Sequence, residues 1–237
     1  MFSVYSRHVL DDNTTAIIAM AWARACGLPD DAFASDGPPR IVSASDTGVI
    51  TVVQLLGRTL LHAPQWAIDR AESYTDEALL EVHGLLALAK DHNPHATRIA
   101  ALLYADDYLG DDDTSSGPVT DDPQAVADLH TRCAPDDVDP DQLRAQEHIF
   151  VVLDDDDLPQ AAAAYTAQQG IIADLVLVSA IDARGTGAVE RAAAIAMHDA
   201  LDEGLIPQLR VGLDEGRDLA TALGFSELGR IATVAVD

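Results

Sequence analysis

Between Ile171 and Phe225 the chain has little freedom in how it folds. Apolar Leu175 to Ser179 reads as a strand, and Arg184-Gly185-Thr186-Gly187 as a turn. From Gly187 to Glu203 apolar residues recur at helical spacing, with Val189, Ala192, Ala193, Ala196, Met197 and Ala200 on one face and Glu190, Arg191, His198 and Asp202 on the other. Gly204 suits a left-handed helix end. Gln208 to Leu213 reads as a second strand and Arg217 to Leu223 as a short helix ended by Gly224. A turn placed between a strand and a long helix leaves the first amides of that helix without intrahelical partners. The helix dipole adds partial positive charge there, and glycines let a ligand approach the backbone. Gly185 and Gly187 therefore make a phosphate cradle, to which Arg184 adds a forked cation.

Two glycines before a helix also occur in ordinary strand-to-helix turns, so the surroundings must decide. A dinucleotide site would need a third glycine where Glu190 stands and a glycine turn directly after its strand. A P-loop would need Gly-Lys-Ser/Thr, which the chain lacks. Upstream, His148 to Leu153, Ala161 to Ala167 and Ile171 to Ser179 read as successive antiparallel strands, and Leu228 to Val236 as a last one. Asp122 to Cys133 reads as a helix, and Asp136 to Gln146 as another short one. The fold class is α+β, a mixed and mostly antiparallel sheet with flanking helices in three layers.

The order and spacing resemble the GNAT (GCN5-related N-acetyltransferase) superfamily, from roughly Asp121 to Val236. The residues that carry the resemblance are Leu175 to Ser179, Arg184-Gly185-Thr186-Gly187 with the helix after it, and Leu223-Gly224-Phe225-Ser226-Glu227-Leu228-Gly229. The resemblance implies acyl transfer from acetyl-CoA, as co-substrate, to a primary amine of a small molecule or protein. It implies a pantetheine arm on the backbone of Leu177, Val178 and Ser179, and a pyrophosphate on Arg184, Gly185, Thr186, Gly187, Ala188 and Val189. Asp174 is the candidate base, Tyr165 the candidate acid and Ser179 a hydrogen-bond donor to the leaving thiolate. The chain departs from the family pattern at Val189, where Gly or Ala is usual, at Ala220, where a Tyr often serves as acid, and near Leu213 and Asp214, where an Asn is common. These departures keep open an alternative, a non-catalytic acyl-CoA-binding or regulatory module.

Residues 1–116 read as a smaller α+β region, and residues 117–237 as the acyl-CoA-binding domain. The boundary falls in the acidic, Ser- and Pro-bearing stretch from Gly110 to Pro123. The first region opens with a helix after Asp12 that stops at Gly27 and Pro29. Arg40 to Ser45 and Gly48 to Leu56 are predicted to form a hairpin through Asp46-Thr47-Gly48, and a single helix is predicted from Thr75 to Leu88. Two readings of this region stand: a degenerate acetyltransferase-like half, or an unrelated cap over the acceptor pocket.

The formal net charge of −26 argues against nucleic acid and anionic membranes as partners. Asp154 to Asp157 lacks the alternating ligands of a calcium loop and reads as a solvated turn, so no metal is expected. Cys26 and Cys133 read as reduced, partly buried thiols. No apolar run approaches the roughly 18 residues of a membrane span, and a cytoplasmic protein is expected, with a homodimer as the candidate assembly.

Overall fold

The computed structural model describes residues 9–34, 36–108, 117–134, 143–212 and 216–237. The described residues form two compact units: one gathers those of Tyr104–Leu209 and Asp218–Ser226, the other those of Leu10–Leu103, Arg210–Arg217 and Glu227–Asp237. The expected division into residues 1–116 and 117–237 makes a single cut, whereas the chain returns to the first-built unit for its final strand. The stretch 109–116, where that cut was placed, lies outside the described residues, as does most of the helix expected from Asp136.

The unit containing Leu10–Leu103 begins with helix α1 (Asp12–Ala25), whose N-cap Asp11 accepts the amides of Asn13 and Thr14. Its strands are β1 (Arg40–Ala44), β2 (Val49–Leu55), β3 (Arg58–Ala63), β4 (His95–Tyr104) and the chain-terminal β10 (Ser226–Ala235), in the order β1-β3-β2-β10-β4. The predicted hairpin between β1 and β2 is not formed. β1 pairs in parallel with β3, and β2 pairs antiparallel with β3 and β10. The tight turn is instead Leu56-Gly57, both at positive φ (51° and 74°), the conformation a two-residue hairpin requires. Gly48 meets the last strand: its carbonyl accepts the amide of Val236 at 2.8 Å.

Helices α2 (Gln65–Ala71), α3 (Asp76–Leu79) and α4 (Val82–Ala89) pack Ala67, Ala71, Leu79, Leu85 and Leu88 against Ile50, Val52, Leu61, Ala232 and Val234. The single helix expected from Thr75 is broken at Glu81, which is extended. The two pieces fold onto each other so closely that a Cβ on Gly84 would sit 1.9 Å from the Ala78 carbonyl oxygen. Ala96 to Tyr108, whose residues taken alone fit either a helix or a strand, contributes its first part, to Tyr104, to strand β4.

The other unit has strands β5 (Val119–Thr120), β6 (His148–Leu153), β7 (Pro159–Gln168), β8 (Ile172–Ser179) and β9 (Ile206–Val211), in the order β9-β8-β7-β6-β5. β5 to β8 are antiparallel, and β8 runs parallel to β9, so the sheet is mixed and mostly antiparallel, as expected. One face is covered by α5 (Pro123–Arg132), through Val126 and Leu129 on Val151, Ala162, Ala164 and Val178. The opposite face carries α6 (Ala188–Asp202), whose Asp199 meets Tyr165 of β7. Ala161 and Ala163, which alternate with the α5-facing Ala162 and Ala164, and the buried alanines of α6 leave little side-chain bulk between this helix and the sheet. A short helix, α7 (Arg217–Ala222), precedes β10.

Candidate functional site

β8 is built to lose its neighbour. Its ladder with β9 runs from Ile172↔Ile206 to Leu175↔Leu209 and stops there, whereas its ladder with β7 continues to Ser179↔Ala161. Val176, Leu177, Val178 and Ser179 therefore carry a strand edge that has no registered partner on the β9 side among the described residues. Unpaired backbone donors and acceptors at an edge receive an extended amide-bearing ligand in the way they receive a strand.

Past β8 the chain makes a 3-10 turn (Ile181–Ala183) and reaches Arg184. The Thr186 amide and hydroxyl both donate to the Ala183 carbonyl, at 3.2 and 2.7 Å, which closes the loop. Gly185 (φ 75°) and Gly187 (φ 88°) are both left-handed, a backbone state that disfavours any side chain. Gly187 is the N-cap of α6 and brings no side chain to cap it. The amides of Gly185, Gly187, Ala188 and Val189 meet no acceptor among the described residues. A Cβ on Gly185 or Gly187 would find no heavy atom within 4 Å, so the approach to this nest of amides is open. A run of amides without acceptors at the positive end of a 15-residue helix suits a diphosphate. Arg184 is exposed beside it.

The far ends of both helices hold the arrangement in place. Gly204 (φ 74°) ends α6, with the Leu205 amide bonding back to Ala200 at 2.8 Å. Gly224 (φ 97°) ends α7, with the Phe225 amide bonding back to Ala220 at 2.9 Å. The second of these is the Leu-Gly-Phe turn singled out in the sequence, a six-to-one helix stop.

The three side chains proposed for chemistry are not brought to one point. Tyr165 lies opposite Leu175 in the β7–β8 register, so it shares the α6 face with Leu175 and Ser179; Asp174, next to Leu175, is on the α5 face. Ser179 stands four residues beyond Leu175, or ~13 Å along the strand. Its hydroxyl donates to the Ala180 carbonyl at 3.1 Å. Tyr165 is fully buried; its hydroxyl donates to Asp199 Oδ2 at 2.5 Å and its ring stacks on His148 with centroids 4.4 Å apart. Burial, reinforced by the Asp199 carboxylate, pushes the Tyr165 hydroxyl well above the ordinary tyrosine range. Asp199 Oδ2 also lies 3.2 Å from His148 Nδ1. The Tyr165 proton is thus committed to Asp199, and the phenol is a poor acid at neutral pH.

Asp174 is half-buried and held on both oxygens. Gln168 Nε2 donates to Oδ2 at 2.8 Å and Gln208 Nε2 to Oδ1 at 2.6 Å. Neither glutamine nor Asp199 was singled out in the sequence. Gln208 left a signal there: a carboxamide between Pro207 and Leu209 at a position that proves fully buried. Val189 is half-buried just inside the nest, and Ala220 is fully buried. Leu213 and Asp214 lie outside the described residues.

The acidic run forms the β6–β7 turn. Asp154 Oδ1 accepts the amides of Asp156 and Leu158 at 3.0 and 2.9 Å, and Oδ2 accepts Gln160 Nε2 at 2.6 Å. Among the described residues no group of three or more His, Cys, Asp and Glu is placed to hold a metal ion, and no helix is long and apolar enough to cross a membrane. Both cysteines are buried, and burial raises the Cys26 thiol to about 11.

No family model matches the chain, and no curated protein does. Among solved structures it is similar to a protein of the GNAT family from Novosphingobium aromaticivorans DSM 12444 (17% identity over 61% of this chain and 68% of that one, TM-score 0.48). It is also similar to a GCN5-related N-acetyltransferase from Kribbella flavida (20% identity, 65% of this chain and 63% of that one, TM-score 0.47). A third is an acetyltransferase from the GNAT family of Colwellia psychrerythraea (15% identity, 82% of this chain and 80% of that one, TM-score 0.45). These structures carry the family name to which the Arg184 turn and the Leu223–Gly229 ending pointed. At such identities and scores the likeness says nothing about the reaction.

Proposed function

We propose that this chain binds acetyl-CoA along the free edge of β8 and at the N-terminus of α6, and transfers the acyl group to a primary amine. The observation that carries the proposal is the run of open amides from Gly185 to Val189, reached directly from a strand whose edge is free over Val176 to Ser179. The two features lie in the order that a pantetheine arm and its pyrophosphate require. When bound, acetyl-CoA supplies a thioester whose acyl carbon is open to attack by nitrogen. The chain itself contributes three things. The β8 edge orients the pantetheine amides, the α6 nest neutralises the diphosphate, and Asp174 offers a fixed carboxylate to take a proton from the amine. In the net reaction a C–N bond forms and a C–S bond breaks. Of the two protons an ammonium loses, one ends on the departing thiolate and the other on Asp174, then on solvent. The acceptor is a small-molecule or protein amine, and a cytoplasmic location goes with this reading.

A second reading, a non-catalytic acyl-CoA-binding module, is favoured by the buried Ala220 and by the commitment of the Tyr165 hydroxyl to Asp199. Calorimetry with acetyl-CoA tests both, and no binding at micromolar to millimolar concentration sinks both. Thiol release with a panel of primary amines then separates them. Acyl transfer to any amine supports the enzyme, and none with binding intact supports the module.

A further inference from the structure

Gln208 is fully buried, yet its carbonyl oxygen Oε1 meets no hydrogen-bond donor among the described residues. A buried amide acceptor without a donor is costly, and native chains seldom keep one. The carboxamide cannot relieve the cost by turning over. Its Nε2 donates to Asp174 Oδ1 at 2.6 Å, and a half-turn would set Oε1 against that carboxylate oxygen. Gln168 holds the other oxygen of Asp174, so the carboxylate cannot rotate to escape. The ionised Asp174 thus forces Gln208 to keep its acceptor unsatisfied. The pair Asp174↔Gln208 stands one step before Leu175↔Leu209, the last rung before β8 loses its partner. The orphaned acceptor and a half-buried negative charge therefore lie side by side, next to the free edge assigned to the pantetheine arm.

Resting on the acyl-transfer reading, we propose that Asp174 and Gln208 Oε1 together receive the protonated amino group of the acceptor, with Gln208 as the residue that positions it. The chemistry selects the class of acceptor. An ammonium brings several N–H donors and a positive charge, and so satisfies both acceptors at once. A hydroxyl has one donor and no charge, and an anion is repelled by Asp174. Proton transfer follows from the same geometry. An N–H bond breaks, an O–H bond forms on Asp174, the charge pair is cancelled and the amine keeps its lone pair. Asp174 is then a donor, and the Gln208 carboxamide is free to turn over and accept from it.

The test is an NMR titration of the full-length, 15N-labelled chain with n-butylammonium chloride, following the Gln208 side-chain NH2 resonance, assigned by its loss in Gln208→Met. A saturable shift is expected, with n-butanol producing none. Asp174→Asn, which keeps the shape and removes the charge, is expected to weaken the butylammonium response at least tenfold, while calorimetric acetyl-CoA affinity stays within about twofold of the unaltered chain. No saturable shift at Gln208, an equal shift with butanol, or an undiminished response in Asp174→Asn overturns the proposal. Because acetyl-CoA binding is read separately, its loss in the unaltered chain would strike the acyl-transfer reading, whereas binding without a butylammonium response would strike this inference alone.

Discussion

The cradle reading makes a prediction with an internal control at the two ends of α6. Gly187 (φ 88°) begins the helix and Gly204 (φ 74°) follows its end, and a Cβ at either would meet no heavy atom within 4 Å. Alanine at either site thus causes no clash and must only adopt a left-handed backbone, at ~1–2 kcal/mol. For a chain of this size that lowers Tm by about 2–8 °C, and the two variants should do so to a similar extent. They differ in what the methyl group faces. At Gly187 it stands among the amides of the nest and holds a phosphate oxygen away from at least one of them. Losing one charge-assisted hydrogen bond costs ~1.5–3 kcal/mol, or about 10- to 150-fold in affinity. Gly204 is the helix length away, ~22 Å for 15 residues, so its methyl group touches no ligand. Calorimetry with acetyl-CoA on Gly187→Ala and Gly204→Ala, beside their melting curves, is the assay. Equal affinity in the two variants, whether retained or lost, would refute the cradle.

Three further outcomes are expected. Val189→Ala removes a β-branched side chain beside the nest and should tighten acetyl-CoA binding by roughly 3- to 10-fold with a small gain in helix stability; weaker binding would show that Val189 helps to hold the ligand. Tyr165→Phe gives up the bond to Asp199 and should cost about 1 kcal/mol at neutral pH. Because the folded chain holds the Tyr165 proton more tightly than a free tyrosine, the contribution of that proton is fully present below about pH 10 and is lost as pH rises through the raised value. Alkaline unfolding of Tyr165→Phe should accordingly show a shallower loss of stability above about pH 10, and superimposable slopes would count against the burial assigned to this hydroxyl. Gly229→Ala places a Cβ 2.0 Å from the Gln54 carbonyl oxygen across the β2–β10 ladder, so a loss of ~3 kcal/mol or more is expected by chemical denaturation, and a near-neutral change would refute that register.

What could be read from the residues alone was local. The Arg184–Gly187 turn, the Gly204 and Gly224 stops and the periodicity of α6 each depend on neighbours within one or two helical turns, so their signals lie in adjacent residues. The Asp154 turn was legible for the same reason, since Asp154 caps amides only two and four residues away. Thr75 correctly opened a helix, yet the break at Glu81 depends on how Gly84 meets Ala78 when the chain folds back.

The tertiary structure decided everything that depends on strand pairing. Alternation along β7 and β8 separates two faces of each strand but does not say which residues of the two strands face each other. Only the register places Tyr165 beside Leu175, with Asp174 on the other side of the sheet. The same holds for β1, which left the predicted hairpin because β3 and β10 occupy both edges of β2. It holds most clearly for Gln208, 34 positions from Asp174 in sequence and 2.6 Å from it in space. The glycine turn at Gly185 and Gly187 was legible because a helix writes its own N-terminus into adjacent residues. The Asp174–Gln208 pair was not, because its two residues lie on different strands, and only the closing of the sheet sets a buried carboxamide against a carboxylate.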